Sequence, residues 1–222
     1  MIEVKNLSKS FNYQGTKIKI LDDVSFKVDT KDKIAVIGRN GAGKSTFLNI
    51  IGGVESPDKG KIKRDCSISW PVGKSAGFVP SLTGRQNVTF VLKIFLGNDK
   101  NLLREKISFI HEFSELGESF DRPFMQYSRG MRSRISFSLS MAFDFDVFLL
   151  DEFMGGGDAK FKKKSIKKLD ELIQNKGIFL VTHNLPEYTK YCNKALLLDR
   201  GRLIEYDIVK DAIEEHKKLL SN

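Results

Sequence analysis

Four short apolar runs divide the chain, and each is bounded by polar residues or glycine. The runs are Lys33–Ile37, Val147–Leu150, Ile178–Thr182 and Ala195–Leu198. Runs of this length that are rich in Val, Ile and Leu are typical of parallel strands buried on both faces. Every run except the last leads into a loop with unusual polar residues. The pattern therefore predicts an α/β fold with a ligand site beyond the carboxyl ends of its strands.

Between the first and second of these runs the period is helical. Apolar residues recur at helical spacing within 86–142, at Phe90, Ile94, Leu103, Ile107, Ile110 and Phe113. This predicts a mainly helical insertion in an α/β core. At the start of the chain, Ile2–Val4 and Ser25–Val28 alternate like an antiparallel layer, and Asp211–Leu220 has the period of an amphipathic helix. We expect one domain, 1–222, with a core of 1–85 and 147–222 and a helical subdomain of 86–146.

The turn after the first run carries a phosphate-binding pattern. It has the spacing glycine, four residues, glycine, lysine and serine, and the predicted nucleotide-binding residues are Gly38, Arg39, Asn40, Gly41, Ala42, Gly43, Lys44, Ser45 and Thr46. Glycines let backbone N–H groups converge on phosphate oxygens, and the N-terminus of the following helix adds its positive end. We expect Lys44 to bridge the outer phosphates of a nucleotide and Ser45 to hold Mg²⁺.

Two later strands end in residues suited to nucleotide hydrolysis. Asp151 and Glu152 follow one apolar run, and His183 follows the next. We expect Asp151 to steady Mg²⁺ and Glu152 to polarise a water in line with the terminal phosphorus of ATP. His183 would bond the γ-phosphate or the attacking water. Acid pairs after strands are common as solvated turns, and a lone His is more often structural, but the upstream phosphate loop favours the catalytic interpretation.

A second candidate anion site opens a later apolar helix. Ser128 is placed as an N-cap, and Gly130 permits close backbone approach. By itself this segment is more typical of an ordinary capped helix.

The order of these motifs, with Gly157-Asp158 between the acids and the His, resembles the ATP-binding subunits of ABC transporters over essentially the whole chain. The resemblance implies a P-loop NTPase, RecA-like core with a helical subdomain, and an ATP-bound homodimer whose two copies face head to tail. It implies that Ser128, Arg129 and Gly130 contact the nucleotide of the other copy and that Asp158 lies across the dimer interface. Phe11, with Tyr13 as the weaker candidate, would stack on adenine.

Further segments are similar to one group within that family, the KpsT-type ATPases of Gram-negative capsular polysaccharide export. They are Ile68–Gly73, Leu82–Arg85, Phe113–Gly117, Ser128–Arg134 and Gly157–Phe161. This likeness implies a peripheral subunit on the cytoplasmic face of the inner membrane. It would join a polytopic permease subunit and drive lipid-linked polysaccharide across the membrane. An ATPase of O-antigen or teichoic-acid export is the related alternative.

Two residues depart from the family pattern. Arg129 stands where a small residue is usual, and its cation would strengthen anion binding or hinder closure of the dimer. Val79 stands where the family usually has a Gln, and an aliphatic side chain can neither bind Mg²⁺ nor position water. Gln86, a little downstream, is the candidate substitute. These departures leave open a pure binding module with degenerate motifs.

Composition changes the picture only through charge. The net charge of +9 permits nucleic acid, an anionic lipid surface or phosphate-bearing ligands as partners. Part of the excess lies on a predicted helix with Lys160, Lys162, Lys163, Lys164, Lys167 and Lys168, either a solvated face or a surface for lipid or an acidic partner. A soluble ABC ATPase acting on ribosomes or DNA is the rival, but such proteins usually have two cassettes or a long coiled coil. We therefore expect no nucleic-acid partner.

Overall fold

The computed structural model describes residues 1–74, 77–152 and 158–221. Within these ranges the strands are β1 Ile2–Tyr13, β2 Thr16–Val28, β3 Lys33–Ile37, β4 Lys59–Arg64, β5 Ile68–Pro71, β6 Val147–Asp151, β7 Gly177–Val181, β8 Lys194–Asp199 and β9 Arg202–Tyr206. The α-helices of the same ranges are α1 Lys44–Ile51, α2 Gly84–Leu96, α3 Lys100–Ser114, α4 Arg129–Ser140, α5 Ala159–Leu172, α6 Leu185–Tyr191 and α7 Val209–Ser221. Across the described ranges, no helix is both long and apolar enough to span a lipid bilayer.

The central sheet has six strands in the order β5-β6-β7-β3-β8-β9. The first five are parallel, and β9 pairs with β8 in the antiparallel sense. The four runs predicted as strands are β3, β6, β7 and β8, with ends that agree within one residue. They are buried on both faces, which explains their unbroken apolar sequences. Because β6, β7 and β3 are neighbours, the loops at their carboxyl ends meet at one edge of the sheet.

A second sheet, β2-β1-β4, forms the predicted antiparallel layer. Ile2 pairs with Val28 and Val4 with Phe26, so the alternating apolar positions of both strands share the buried face. Helix α1 contributes to the same core. The Phe47 ring centroid lies 5.7 Å from that of Phe26 in this layer and 6.2 Å from that of Phe179 in the central sheet. This packing anchors the helix that follows the phosphate-binding turn.

The described residues divide into two compact units. The first contains both sheets, α1, α6 and α7, in residues 1–71, 145–152 and 173–221. The second contains α2, α3, α4 and α5, in residues 72–144 and 158–172. The sequence-based boundaries, 86 and 146, differ from this division at three places. Residues 72–85 and α5 belong to the second unit rather than to the core, and residues 145–146 belong to the first unit.

Contacts within the second unit explain the two larger differences, at residues 72–85 and at α5. The segment before α2 is tied to a later turn, since the Phe124 N–H donates to the Leu82 carbonyl at 2.9 Å. The Phe161 ring of α5 lies 5.9 Å from Phe113 of α3 and 6.2 Å from Phe137 of α4, centroid to centroid. These contacts join residues far apart in the chain, which a scan for local periodicity does not detect.

Candidate functional site

The phosphate loop, residues 38–45, connects β3 to α1. Gly41 and Gly43 have φ angles of +79° and +99°, a region that favours glycine. Helix α1 begins after Gly43 without a side-chain hydrogen bond at its N-cap, whereas Thr83 caps α2 and Ser128 caps α4. The first N–H groups of any α-helix have no acceptor within the helix. The start of α1 is therefore suited to binding an anion.

The packing of the loop against neighbouring strands also requires glycine. A Cβ at Gly38 would lie 2.5 Å from the carbonyl oxygen of Leu198 in β8, and one at Gly43 would overlap the Ile20 side chain in β2. The loop is held between these two strands. Its glycines thus serve both the backbone turn and the packing of that turn against its neighbours.

The Lys44 side chain is buried beside the loop. Its Nζ donates hydrogen bonds to the carbonyl oxygens of Gly38 and Arg39, at 2.8 and 3.0 Å. Burial lowers the pKa of Lys44 from its ordinary value, and the nearby carboxylates of Glu152 and Asp151 oppose that shift. The ammonium group therefore lies between the first half of the loop and the two acids at the end of β6.

Ser45 and Asp151 form the candidate magnesium site. Ser45 Oγ donates to Asp151 Oδ1 at 3.2 Å, although the two residues come from opposite halves of the chain. Hydroxyl and carboxylate oxygens are the ligands that Mg²⁺ prefers. The donor set therefore fits the ion expected from the sequence.

Glu152 and His183 come together at the ends of β6 and β7. His183 Nε2 lies 2.8 Å from Glu152 Oε1, and both side chains are exposed. Glu152 has a φ of +50°, uncommon for a residue with a side chain, and its N–H donates to the Val181 carbonyl at 3.0 Å. This backbone turn brings the carboxylate to the end of β7. The two residues predicted to act on the γ-phosphate and its water are thus in contact.

One cavity of about 420 Å³ borders this group. Its lining includes Phe11, Gly43, Ser45, Glu152 and His183. Phe11 is 41% exposed, near the end of the β1–β2 hairpin, whereas Tyr13 is 64% exposed and is not among the lining residues. An aromatic ring beside the phosphate loop suits stacking on a base, so the geometry favours Phe11 over Tyr13 as the adenine contact.

The predicted second anion site lies in the second unit. Ser128 caps α4, with its Oγ accepting the Met131 N–H at 3.2 Å. Arg129 is exposed at the first position of the helix. A Cβ at Gly130 would approach only Ser128 Oγ, at 3.9 Å. Since nothing in the described chain requires glycine at position 130, a requirement for it would come from a ligand or from another molecule.

Asp158 immediately precedes α5, in the same unit. Its Oδ1 accepts the Phe161 N–H at 2.9 Å, and its Oδ2 accepts a hydrogen bond from Arg134 at 2.6 Å. The Phe161 N–H bond, followed by the field of Arg134, lowers the pKa of Asp158 despite its exposure. Asp158 is therefore an exposed carboxylate held by α4. Gly157, which precedes it in the predicted motif, lies outside the described residues.

The segment with Val79 is held by a side chain that the sequence did not single out. Asn87, buried on α2, accepts the Val79 N–H at 2.7 Å and donates to the Val79 carbonyl at 3.0 Å. Gln86, the candidate substitute for the missing glutamine, lies beside Asn87 on α2. Its Oε1 accepts the Thr83 N–H at 2.9 Å in a capping box that begins α2. Val79 itself is partly exposed.

Comparison with known proteins shows the family of the chain. Residues 21–155 match the ABC transporter family. The chain belongs to the ABC transporter family. Two Escherichia coli proteins named polysialic acid transport ATP-binding protein KpsT are 42% and 44% identical to it, each over 98% of this chain and over 96% and 99% of the relative. The capsule polysaccharide export ATP-binding protein CtrD of Neisseria meningitidis serogroup B is 39% identical, over 99% of this chain and all of CtrD.

A solved ABC cassette has the same fold. The dimeric post-hydrolysis state of the ATP-binding cassette MJ0796, bound to ADP and Pi, superposes with a TM-score of 0.75 at 23% identity, over 93% of this chain and 98% of the cassette. The predicted fold class, a P-loop NTPase core with an antiparallel layer and helical segments, is confirmed. The resemblance to KpsT-type ATPases is confirmed as well.

This ABC cassette also contains a tyrosine brace behind His183. The Tyr188 hydroxyl accepts the Thr182 N–H at 3.1 Å and donates to the Val36 carbonyl at 3.0 Å. It therefore joins the residue before His183 to the strand that enters the phosphate loop. Burial raises the pKa of Tyr188 to about 12, so the hydroxyl keeps its proton at physiological pH. A Tyr in a short polar helix gave no sequence signal for this role.

We predict that Tyr188→Phe lowers kcat for ATP hydrolysis several-fold and changes KM for ATP much less, because the brace positions His183 and not the phosphate loop glycines. The Thr182 N–H and the buried Val36 carbonyl each lose the hydroxyl as a partner, so urea unfolding should also show a loss of about 1–3 kcal/mol. Tyr191→Phe on the same helix is the matched control, since the Tyr191 hydroxyl accepts a hydrogen bond from the Lys190 ammonium at 2.6 Å and is not the hydroxyl that forms the brace. Equal kcat values for the two variants would contradict a positioning role.

Proposed function

We propose that this chain is the ATP-hydrolysing subunit of an exporter that moves capsular polysaccharide across the inner membrane. One structural observation carries the enzymatic part: Lys44, Asp151, Glu152 and His183 converge at one edge of the central sheet, beside the phosphate loop. Near-full-length likeness to proteins named for polysialic acid transport and capsule polysaccharide export supports the transport part. The chain would act as a peripheral protein on the cytoplasmic face.

Hydrolysis would follow from the positions of these side chains. Lys44 and the N–H groups at the start of α1 bind the phosphates of ATP. Glu152 takes a proton from the water whose oxygen attacks the γ-phosphorus, and the bond from that phosphorus to the bridging oxygen breaks, leaving ADP and inorganic phosphate. His183 holds the Glu152 carboxylate and faces the same phosphoryl group. Mg²⁺, bound by Ser45 and Asp151, would neutralise charge on the phosphate oxygens.

A second copy of the chain would complete the site. ATP that contacts both copies binds the closed pair preferentially, so binding closes the dimer and loss of the γ-phosphate opens it. Ser128, Arg129 and Gly130 would meet the nucleotide of the other copy, where Arg129 adds a cation to the helix N-terminus. The exposed position of Arg129 and the open space at Gly130 support this arrangement. Asp158 would lie at the interface between the copies.

The membrane permease would dock on the second unit. Helix α2 exposes Phe90 and Ile94, 51% and 63% accessible, one turn apart on the same face. Large exposed apolar side chains in adjacent positions are typical of protein interfaces. Val79 and the exposed Met125 belong to the same unit, where the Met125 N–H bonds the Pro80 carbonyl at 2.9 Å. The Asn87 brace would hold this segment without a glutamine at position 79.

Export in the native cell tests the function. Deleting the gene should leave polysaccharide inside the cell, and the wild-type chain should restore it to the surface. The Phe90→Ser, Ile94→Ser double variant should keep the ATPase activity of the isolated chain but fail to restore export and fail to copurify with the permease from detergent-solubilised membranes. Lys93→Ser changes an exposed neighbour on the same helix and should behave like wild type. Undiminished surface polysaccharide after gene deletion would refute the proposed function.

A further inference from the structure

A second cavity, of about 490 Å³, adjoins the phosphate loop within the first unit. It is lined by residues 37–40, at the end of β3 and the start of the loop, by the residues after β7, by α6 and by α7. We call it the α7 cavity. It shares Asn40, Lys44 and His183 with the cavity that holds the candidate catalytic residues. The two spaces therefore adjoin where the γ-phosphate of a bound nucleotide is expected.

Helix α7 presents polar groups to this cavity from its inward face. Val209, Ala212 and Ile213 are buried, and the helix packs on β3, β8 and α6. His216 continues this inward face, three and four positions beyond Ile213 and Ala212. His216 and Lys217 both line the cavity. The sequence predicts the helix but assigns no chemistry to it, although an imidazole on an apolar stripe was a usable signal.

The lining favours an anion. Its charged residues are Arg39, Lys44 and Lys217, and no acidic residue occurs among the described residues that line it. Burial, and then the positive charges of Lys44 and Arg39, lower the pKa of His216, while Asp199 opposes the shift. The imidazole is therefore neutral at pH 7 and offers one donor and one acceptor. Hydrogenphosphate has acceptor oxygens and one O–H donor, so its groups match those of the cavity.

The direction of the reaction would bring the released phosphate towards the α7 cavity. In an in-line displacement the phosphoryl group moves away from ADP and towards the attacking water. That side is the one occupied by Glu152 and His183, and His183 lines both cavities. We propose that the α7 cavity is a transient binding site for the inorganic phosphate released by hydrolysis, held by Arg39, His216 and Lys217. The proposal rests on the proposed ATPase activity.

The first test is phosphate binding. Inorganic phosphate is titrated, by ³¹P nuclear magnetic resonance, into the purified full-length chain saturated with ADP, which fills the nucleotide site. We expect Lys217→Glu, alone and with His216→Gln, to weaken phosphate binding by about tenfold or more. The substitution replaces a positive charge that attracts phosphate with a negative charge that repels it. Lys218→Glu makes the same charge change at the next residue of α7, which is exposed and does not line the cavity, and should retain wild-type binding. Equal phosphate affinity in the Lys217 and Lys218 variants would overturn the proposal.

The second test follows phosphate made in the site. In a single turnover, ATP cleavage is measured by acid quench and phosphate release by a fluorescent phosphate sensor. Cleavage should proceed at the wild-type rate in Lys217→Glu, whereas the delay between cleavage and release should change only in this variant and not in Lys218→Glu. An unchanged delay would exclude product phosphate as the occupant. Absence of cleavage in the wild-type chain would instead refute the ATPase activity, so the two failures are distinguishable.

Discussion

Glu152→Gln is expected to lower ATP turnover by about 10²–10⁴-fold, the usual contribution of a positioned general base. Glutamine keeps the size of the side chain and a hydrogen bond to His183, but it cannot take a proton from the attacking water. ATP binding should persist, because Lys44 and the phosphate loop are unchanged. The dimer should therefore accumulate in the presence of ATP. Turnover is measured by phosphate production, and the dimer by size-exclusion chromatography with light scattering.

Glu214→Gln is the control for this experiment. It removes the same charge from an exposed position on α7, outside both cavities, and should leave turnover and assembly unchanged. Hydrolysis at the normal rate in Glu152→Gln would show that another group accepts the proton. A variant that neither hydrolyses ATP nor forms a dimer would contradict the sharing of one nucleotide by two copies.

Gly43→Ala should disrupt the phosphate loop through both backbone strain and a steric clash. The φ of +99° is strained for alanine by about 1–2 kcal/mol, and the new Cβ overlaps the Ile20 side chain, a clash that typically adds about 1–3 kcal/mol. Relief of that clash would move the start of α1 and the N–H groups intended for phosphate. We expect lower stability in urea unfolding and loss of ATP binding in equilibrium titrations.

Gly41→Ala tests the backbone strain of a positive φ without the steric clash expected at Gly43. Gly41 also has a positive φ, of +79°, but its added Cβ would meet nothing within 4 Å. It should lose only the backbone contribution of about 1–2 kcal/mol. In an Ile20→Ala background, Gly43→Ala should become less destabilising, because the overlapping side chain is gone. If Gly43→Ala costs the same in both backgrounds, the contact with Ile20 does not explain the requirement for glycine.

Local patterns predicted the parts of this protein whose structure depends on near neighbours. The limits of β3, β6 and β8 follow from unbroken apolar sequences, and Ser128 was placed correctly as the N-cap of α4. The phosphate loop was evident because its residues act through spacing within one turn. The roles assigned to Glu152 and His183 remain predictions, supported by their contact.

Other parts depend on long-range packing and could not be obtained in this way. Buried Asn87 had no local signature of its hydrogen bonds to the Val79 backbone. The Tyr188 brace and the α7 cavity arise from contacts between segments distant in sequence. The second unit likewise gains α5 through aromatic contacts with α3 and α4.

By itself, the sequence determined the candidate site residues, the four buried strands, the position of the helical insertion, and the family. These depend on residue type, spacing and period, all of which are local. The tertiary structure decided which groups meet: Glu152 with His183, and Ser45 with Asp151. The reason is the strand order β6-β7-β3, which brings three loops from distant parts of the chain to one edge. Hydrophobic periodicity specifies that a strand is buried, but not which strands are its neighbours.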